Sequence, residues 1–251
     1  MRCAILFLMF CCWPLMATPA FAEEGKPLTL CVVEHNTPFA FYNREHTLIG
    51  FDVDMWEAMQ LRESFTYQGT DLATALAGLA DNRCDMVLSN ISVTPERAGR
   101  FSFSIPYLHS ALGIMVRAGD ARISTRKDLN GKVIVVPKGS TAEQYIFATN
   151  KGGVVLALEN ERAIYDALLS GKADAVVRDL PMLQGFARIM GKEKVVVLDD
   201  VFAPQTYAYG FAKNRTELRT AVNTALQRMT IDGTINQLYQ KWFGVLPLPT
   251  E

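Results

Sequence analysis

In the stretch Thr94-Pro95-Glu96-Arg97-Ala98-Gly99 a guanidinium stands where a helix has least use for one. Thr94 caps a helix, Pro95 suits the first helical position, and Glu96 complements the positive end of the helix dipole. Arg97 then falls in the first turn, the wrong end for a cation, and Gly99 follows at once, so the helix is a stub of about one turn. A guanidinium fork beside free helix N–H groups matches the two oxygens of a carboxylate. The other reading is a pair with Glu96 or with an exposed carboxylate. Asp179, at the end of the apolar run "ADAVV", supplies the opposite charge, or else caps the helix that Pro181 begins. In "VIVVPKGSTAEQY", Ser140 and Thr141 bring hydroxyls and free N–H groups to a helix start, which suits an anion, although both are also ordinary caps. An arginine, an aspartate and hydroxyl donors converging on one cleft suit a zwitterion.

Other chemistries find little support. The three histidines, His35, His46 and His109, are not paired at metal-ligand spacing on one helix, and neither a Gly-x-Ser-x-Gly elbow nor a Cys-x-x-Cys motif occurs. The glycine run before Ser140 lacks the Walker spacing. No metal or cofactor is therefore expected, and no catalytic residue is assigned. Acid chemistry by Glu34 or Asp179 remains the enzymatic alternative.

The elements that must position these residues follow from patterning. Arg2, an apolar run from Ala4 to Met16, and Ala20-Phe21-Ala22 form the three parts of a secretory signal peptide, so residues 1–22 are expected to be removed and the mature chain to start at Glu23. Phe10 and Cys11, preceding Cys11 and Cys12, do not fit a lipoprotein signal. The chain carries 25 basic and 26 acidic residues, a formal charge of −1 with no long run of either sign, which points away from nucleic acid and anionic membrane. Cys31 and Cys84 are the cysteines left after the signal. Their apolar, strand-like contexts suit buried thiols, with a single bridge as the other reading.

Short β-rich runs such as "LTLCVV" (28–33), "DMVLSN" (85–90), "GIMVRA" (113–118) and "GKVIVVP" (131–137) alternate with helical patterns at 51–63 and 73–80, predicting an α/β fold with parallel strands. Leu218, Ala221, Val222, Ala225, Leu226 and Met229 mark a helix stopped by Asp232-Gly233. Ile235, Leu238, Tyr239 and Trp242 mark another, closed by Gly244. "GLADNRCDMVLSN" (78–90) and "ALLSGKADAVVRD" (167–179) share one plan: a helix ends, a basic residue follows, and Asp85 or Asp174 opens a strand that closes on polar residues. Ligands of open α/β sheets bind beyond the carboxyl ends of strands, so two such halves predict two lobes facing across a cleft.

"GFDVDMW" (50–56) resembles the signature of the extracytoplasmic solute-binding proteins for polar amino acids, partners of ABC importers. "PFAF" (38–41), "DMVLSNISVTPER" (85–97), "DLNGKVIVVPKGST" (128–141), "ADAVVRDLP" (173–181) and "DGTINQLYQKWFG" (232–244) follow in family order across nearly the whole mature chain. The resemblance implies a two-lobed periplasmic-binding-protein-like (type II) fold, each lobe a mostly parallel sheet flanked by helices. Lobe 1 would span 23–106 and 209–251, lobe 2 112–202, with hinge segments at 107–111 and 203–208. It implies a monomer that binds an amino acid in the periplasm and delivers it to an inner-membrane ABC permease. Arg97 would grip the ligand α-carboxylate beside Ser92, with Ser140 and Thr141 as lobe-2 donors. Asp179 and the Ser89 carbonyl would take the α-ammonium, and Asn36, Asn90 and Arg178 would stand around the side chain. Asp52 and Asp54 would start a helix and leave the ligand alone. Against the family pattern, Leu72 replaces an aromatic wall, Pro137 a lysine, Arg178 a histidine and Asn90 a glycine. Arg178 either remains free for an acidic or amide side chain or pairs with Glu34. Cyclohexadienyl and arogenate dehydratases resemble the same fold and supply the enzymatic alternative.

Overall fold

The structure is a computed structural model describing residues 27–61, 64–189, 191 and 193–244. The expected signal peptide and its cleavage site lie outside the described residues. No helix among the described residues is long and apolar enough to cross a membrane.

The chain opens with β1 (Leu28–Val33), a small ribbon of β2 (Phe41–Tyr42) and β3 (Leu48–Ile49), α1 (Phe51–Met59), β4 (Phe65–Thr70), α2 (Leu72–Ala80) and β5 (Met86–Ser92). After α3 (Pro95–Arg100) and β6 (Ser102–Phe103) the long strand β7 (Leu108–Arg117) crosses to the second half. There β8 (Val133–Pro137), α4 (Thr141–Thr149), β9 (Val154–Leu158), α5 (Glu161–Leu169), β10 (Ala175–Asp179), α6 (Leu180–Ile189) and β11 (Val195–Val197) follow. The second long strand, β12 (Phe202–Phe211), returns to the first half, which α7 (Thr216–Ile231) and α8 (Thr234–Phe243) complete.

Strand order is β4-β1-β5-β12-β7-β10-β8-β9. Strands β4, β1 and β5 are mutually parallel, as are β10, β8 and β9. The parallel reading fails for "GIMVRA": it belongs to β7, which runs antiparallel to β10 and to β12. Two crossing segments of opposite direction can pair directly, and β7 and β12 do so from Phe202↔Leu112 to Tyr207↔Leu108. The two halves thus share one continuous sheet, yet their cores separate. One cluster gathers Leu30, Phe39, Phe51, Trp56, Tyr209 and Leu226, while Leu112, Ile134, Ile146 and Val177 pack in the other half.

The internal echo has a structural cause. Asp85 accepts from the Thr29 backbone N–H at 2.7 Å and Asp174 from that of Val133 at 2.9 Å. Each aspartate fastens the start of its strand to the neighbouring parallel strand. Arg215 pairs with Asp85, and Arg122 with Asp174 at 3.0 Å.

Two local expectations change. The helix read over 51–63 ends at Met59, because Gln60 turns left-handed (φ 54°) and its N–H closes on the Glu57 carbonyl. Cys31 and Cys84 are not buried thiols but a disulfide, their Cα atoms 5.7 Å apart. Both are buried among Leu79, Val87 and Ile91, so apolar surroundings did not distinguish thiol from bridge.

Asp52 starts α1 from full burial. Its Oδ1 accepts hydroxyl hydrogen bonds from Tyr107 and Tyr209, each 3.1 Å, whose rings stack at 4.4 Å. Its Oδ2 finds no donor among the described residues. Burial raises this carboxyl to about 7, against the opposing pull of the two tyrosines. In the unfolded chain it titrates near ~4, so the native state holds a proton that the unfolded state releases. The stability Asp52 contributes is therefore full below about pH 4 and is lost as pH rises toward 7. We expect the wild-type melting temperature to fall between pH 5 and pH 8, and Asp52→Asn, which mimics the protonated acid, to remove on the order of 2–4 kcal/mol of that dependence. Equal pH slopes for both proteins would assign the loss to another group.

Candidate functional site

The carboxyl ends of β1, β4 and β5 face those of β8, β9 and β10 around a cavity of about 440 Å³. All nine residues singled out in the sequence, Asn36, Ser89, Asn90, Ser92, Arg97, Ser140, Thr141, Arg178 and Asp179, line it.

Arg97 occupies the third position of α3, with its backbone N–H held by the Thr94 hydroxyl at 3.2 Å. The side chain is only 7% exposed. Nη1 donates to the Ser92 carbonyl at 2.8 Å, and Nη2 crosses to the Gly139 carbonyl at 3.0 Å. Neither Glu96 nor another carboxylate of the described residues forms an ion pair with it, so the surface-pair reading fails. A buried guanidinium with carbonyl partners and no acid is electrically incomplete. Burial pulls its pKa down from the ordinary value, while the charges of Asp179 and Glu96 oppose this.

Asp179 ends β10 and accepts the Tyr207 hydroxyl from β12. Burial pushes its carboxyl up, against the Tyr207 hydrogen bond and the nearby Arg178 and Arg97. A cation placed beside it would relieve that desolvation. Asp179 and Arg97 thus face one cavity as opposite charges that do not touch.

The neutral residues form two sets. Asn36 Nδ2 donates to Asn90 Oδ1 at 2.8 Å and to Ser89 Oγ at 3.3 Å, which ties the end of β1 to β5 and turns these side chains toward one another. Ser140 is a true cap: its hydroxyl accepts from the Glu143 N–H at 3.1 Å and donates to the Pro137 carbonyl at 2.6 Å. Thr141 donates to Gln205 Oε1 on β12 at 3.0 Å. Ser92 presents its carbonyl to Arg97 while its side chain lines the cavity.

Arg178 is neither free nor bound to Glu34. It is 5% exposed, and Nη1 meets both carboxylate oxygens of Glu161 at 2.6 Å and the Tyr165 hydroxyl at 3.2 Å. Its Nε has no partner among the described residues. Glu161 was missed because an acid in the first turn of α5 reads as a dipole partner. Gln205 and Tyr207 fall in the stretch 203–208 expected as a hinge segment, and their hydrogen bonds to Thr141 and Asp179 set them beside the site. Glu34, His35, Leu72 and Pro137, given no ligand role by the sequence, all line the cavity, as do Asp71, Lys138 and Glu159.

The model of the bacterial extracellular solute-binding proteins, family 3, matches residues 28–245. The chain is similar to the L-cystine-binding protein TcyJ of Escherichia coli (strain K12), 29% identical over 240 residues, covering 91% of this chain and 90% of that protein. Among solved structures it is similar to an ancestral arginine-binding protein bound to arginine, with TM-score 0.82, 29% identity, and coverage of 88% of this chain and all of that one. The GluR0 ligand-binding core from Nostoc punctiforme in complex with L-glutamate gives TM-score 0.78 at 33% identity, covering 87% of this chain and all of that one. With the family model matching most of its length and the two-lobed fold shared with these structures, the chain belongs to the bacterial extracellular solute-binding proteins, family 3.

Proposed function

We propose that the protein binds an amino acid between its lobes in the periplasm and delivers it to an ABC permease. The observation that carries this reading is Arg97, a buried cation with no ion-paired acid among the described residues, facing Asp179, a half-buried acid held by the neutral hydroxyl of Tyr207. A zwitterion completes both. Its α-carboxylate takes the free guanidinium edge near Ser92, Ser140 and Thr141. Its α-ammonium lies between Asp179 and the Ser89 carbonyl, with Asn36, Asn90 and Arg178 bounding the remaining space.

In this reading lobe 1 is residues 23–106 and 209–251 and lobe 2 is 112–202, with 107–111 and 203–208 as the paired hinge. Arg97 belongs to one lobe and Asp179 to the other. A ligand shifts a conformational equilibrium only by binding one form better, and contacts divided between lobes supply that difference when the cleft closes. Moving the balance from 1:99 to 99:1 takes about 5.5 kcal/mol, within reach of several charge-assisted hydrogen bonds.

Thermal-shift screening of refolded, ligand-stripped protein against the twenty amino acids tests the reading; a stabilising amino acid is expected. Asp179→Asn is expected to weaken that amino acid at least about tenfold while changing binding of its analogue without the α-amino group by less than ~3-fold. Equal losses in this mutant cycle would remove Asp179 from the ammonium site. The raised carboxyl of Asp179 is also what a general acid needs, so prephenate and arogenate belong in the screen. Their conversion to an aromatic product would move the protein to the dehydratase reading.

A further inference from the structure

The charges around the cavity are unbalanced: Glu34, Asp71, Glu159, Glu161 and Asp179 stand against Arg97, Lys138 and Arg178. Sheet order shows where the excess lies. Strands β5 and β10 are next to the crossing strands, β1 and β8 are one strand further out, and β4 and β9 form the edges. Arg97 and Asp179 belong to the inner level. Outward from them Lys138 is already matched with Glu159 at 2.7 Å, and Arg178, on β10 beside Asp179, is matched with Glu161. Lobe 1 adds two more acids there, Glu34 after β1 and Asp71 after β4, which are successive to the register partners Val33 and Thr70. Asp71 is bound by the Thr74 N–H and hydroxyl as the cap of α2, at 2.9 and 2.6 Å.

Glu34 is different. It is half-buried, and among the described residues it forms no ion pair. Its carboxylate lies over Gly69, where any Cβ would collide with it, beside the Tyr42 hydroxyl, whose pKa it raises. The glycine leaves the room that lets a carboxylate line the outer part of the cavity.

We propose that the bound amino acid carries a second cation, an ammonium or guanidinium at the end of its side chain, and that Glu34 selects it. This rests on the reading of the cavity as an amino-acid site, in which the buried, acid-free Arg97 anchors the α-carboxylate and directs the side chain outward. A neutral amide would leave the Glu34 carboxylate desolvated without a counter-charge as the cleft closes, and a side-chain carboxylate would add a further negative charge to the surplus. The capture of Arg178 by Glu161 removes the one cation that favoured an acidic side chain.

Calorimetry with arginine, lysine, ornithine, glutamine, glutamate and cystine tests the selection on the unaltered protein, and Glu34→Gln tests the residue. The cationic ligands are expected to bind at least about tenfold tighter than the others, and Glu34→Gln to weaken them about tenfold or more while leaving the best neutral ligand within ~3-fold. Glutamine, glutamate or cystine binding as tightly as every cationic ligand, or equal losses for all ligands in the variant, overturns the proposal and leaves the amino-acid reading standing. Failure of every amino acid to bind the folded protein removes the amino-acid reading itself.

Discussion

Arg97→Lys is expected to cost the protein nearly all of its ligand affinity, roughly 2–5 kcal/mol, the loss usual when one side of a buried, hydrogen-bonded charge pair is removed. Lysine keeps the charge but has no fork. It can replace one of the two present bonds, to Ser92 or Gly139, and cannot also meet two carboxylate oxygens in one plane. The ligand-free protein should melt within about 3 °C of wild type, the shift that ~1 kcal/mol produces in a chain of this size. Calorimetry against the amino acid found by screening measures the first effect and differential scanning calorimetry the second. Wild-type affinity in the variant would make Arg97 a link between the two halves and nothing more.

Breaking the Cys31–Cys84 bridge should have the largest effect on stability. The cross-linked residues are 53 apart, and closing a loop of that length removes about 4 kcal/mol worth of unfolded-chain entropy. The bridge also joins β1, which leads into Glu34 and Asn36, to the segment entering β5, which bears Ser89 through Ser92. The double variant Cys31→Ala, Cys84→Ala is expected to melt roughly 8–16 °C below wild type. Urea midpoints should drop similarly on reduction of the wild type and not at all on reduction of the variant. A wild-type midpoint unmoved by reductant would mean that the two sulfurs are not bonded in the folded protein.

Much of the fold was legible because local signals agreed with tertiary demands. Helices α7 and α8 matched their apolar spacing and their stops, since a helix that covers a sheet must present one continuous stripe. β1 and β8 matched because buried parallel strands are uniformly apolar. Apart from the local stop of α1 at Gln60, the failures came where a distant partner decides: the direction of β7, which its pairing with β10 and β12 specifies, and the state of two cysteines whose surroundings suit thiol and bridge alike.

The site divides along the same line. By itself the sequence determined which residues stand at strand ends and helix starts, because capping, strand termination and burial are local properties; Ser89, Asn90, Arg97, Ser140, Thr141, Arg178 and Asp179 were placed that way, Asn36 and Ser92 by the resemblance, and all nine line one cavity. It also placed Arg97 where no helix wanted it, and that misfit pointed to the cavity that Arg97 lines. Only the tertiary structure decided what each charge pairs with. Arg178 and Glu161 come from different elements, Asp179 is held by a tyrosine 28 residues away, and Glu34 lies over Gly69 without an ion pair among the described residues. Coulombic and hydrogen-bonding energies depend on distances of a few ångströms between side chains that the chain brings together only on folding, so no local pattern encodes them.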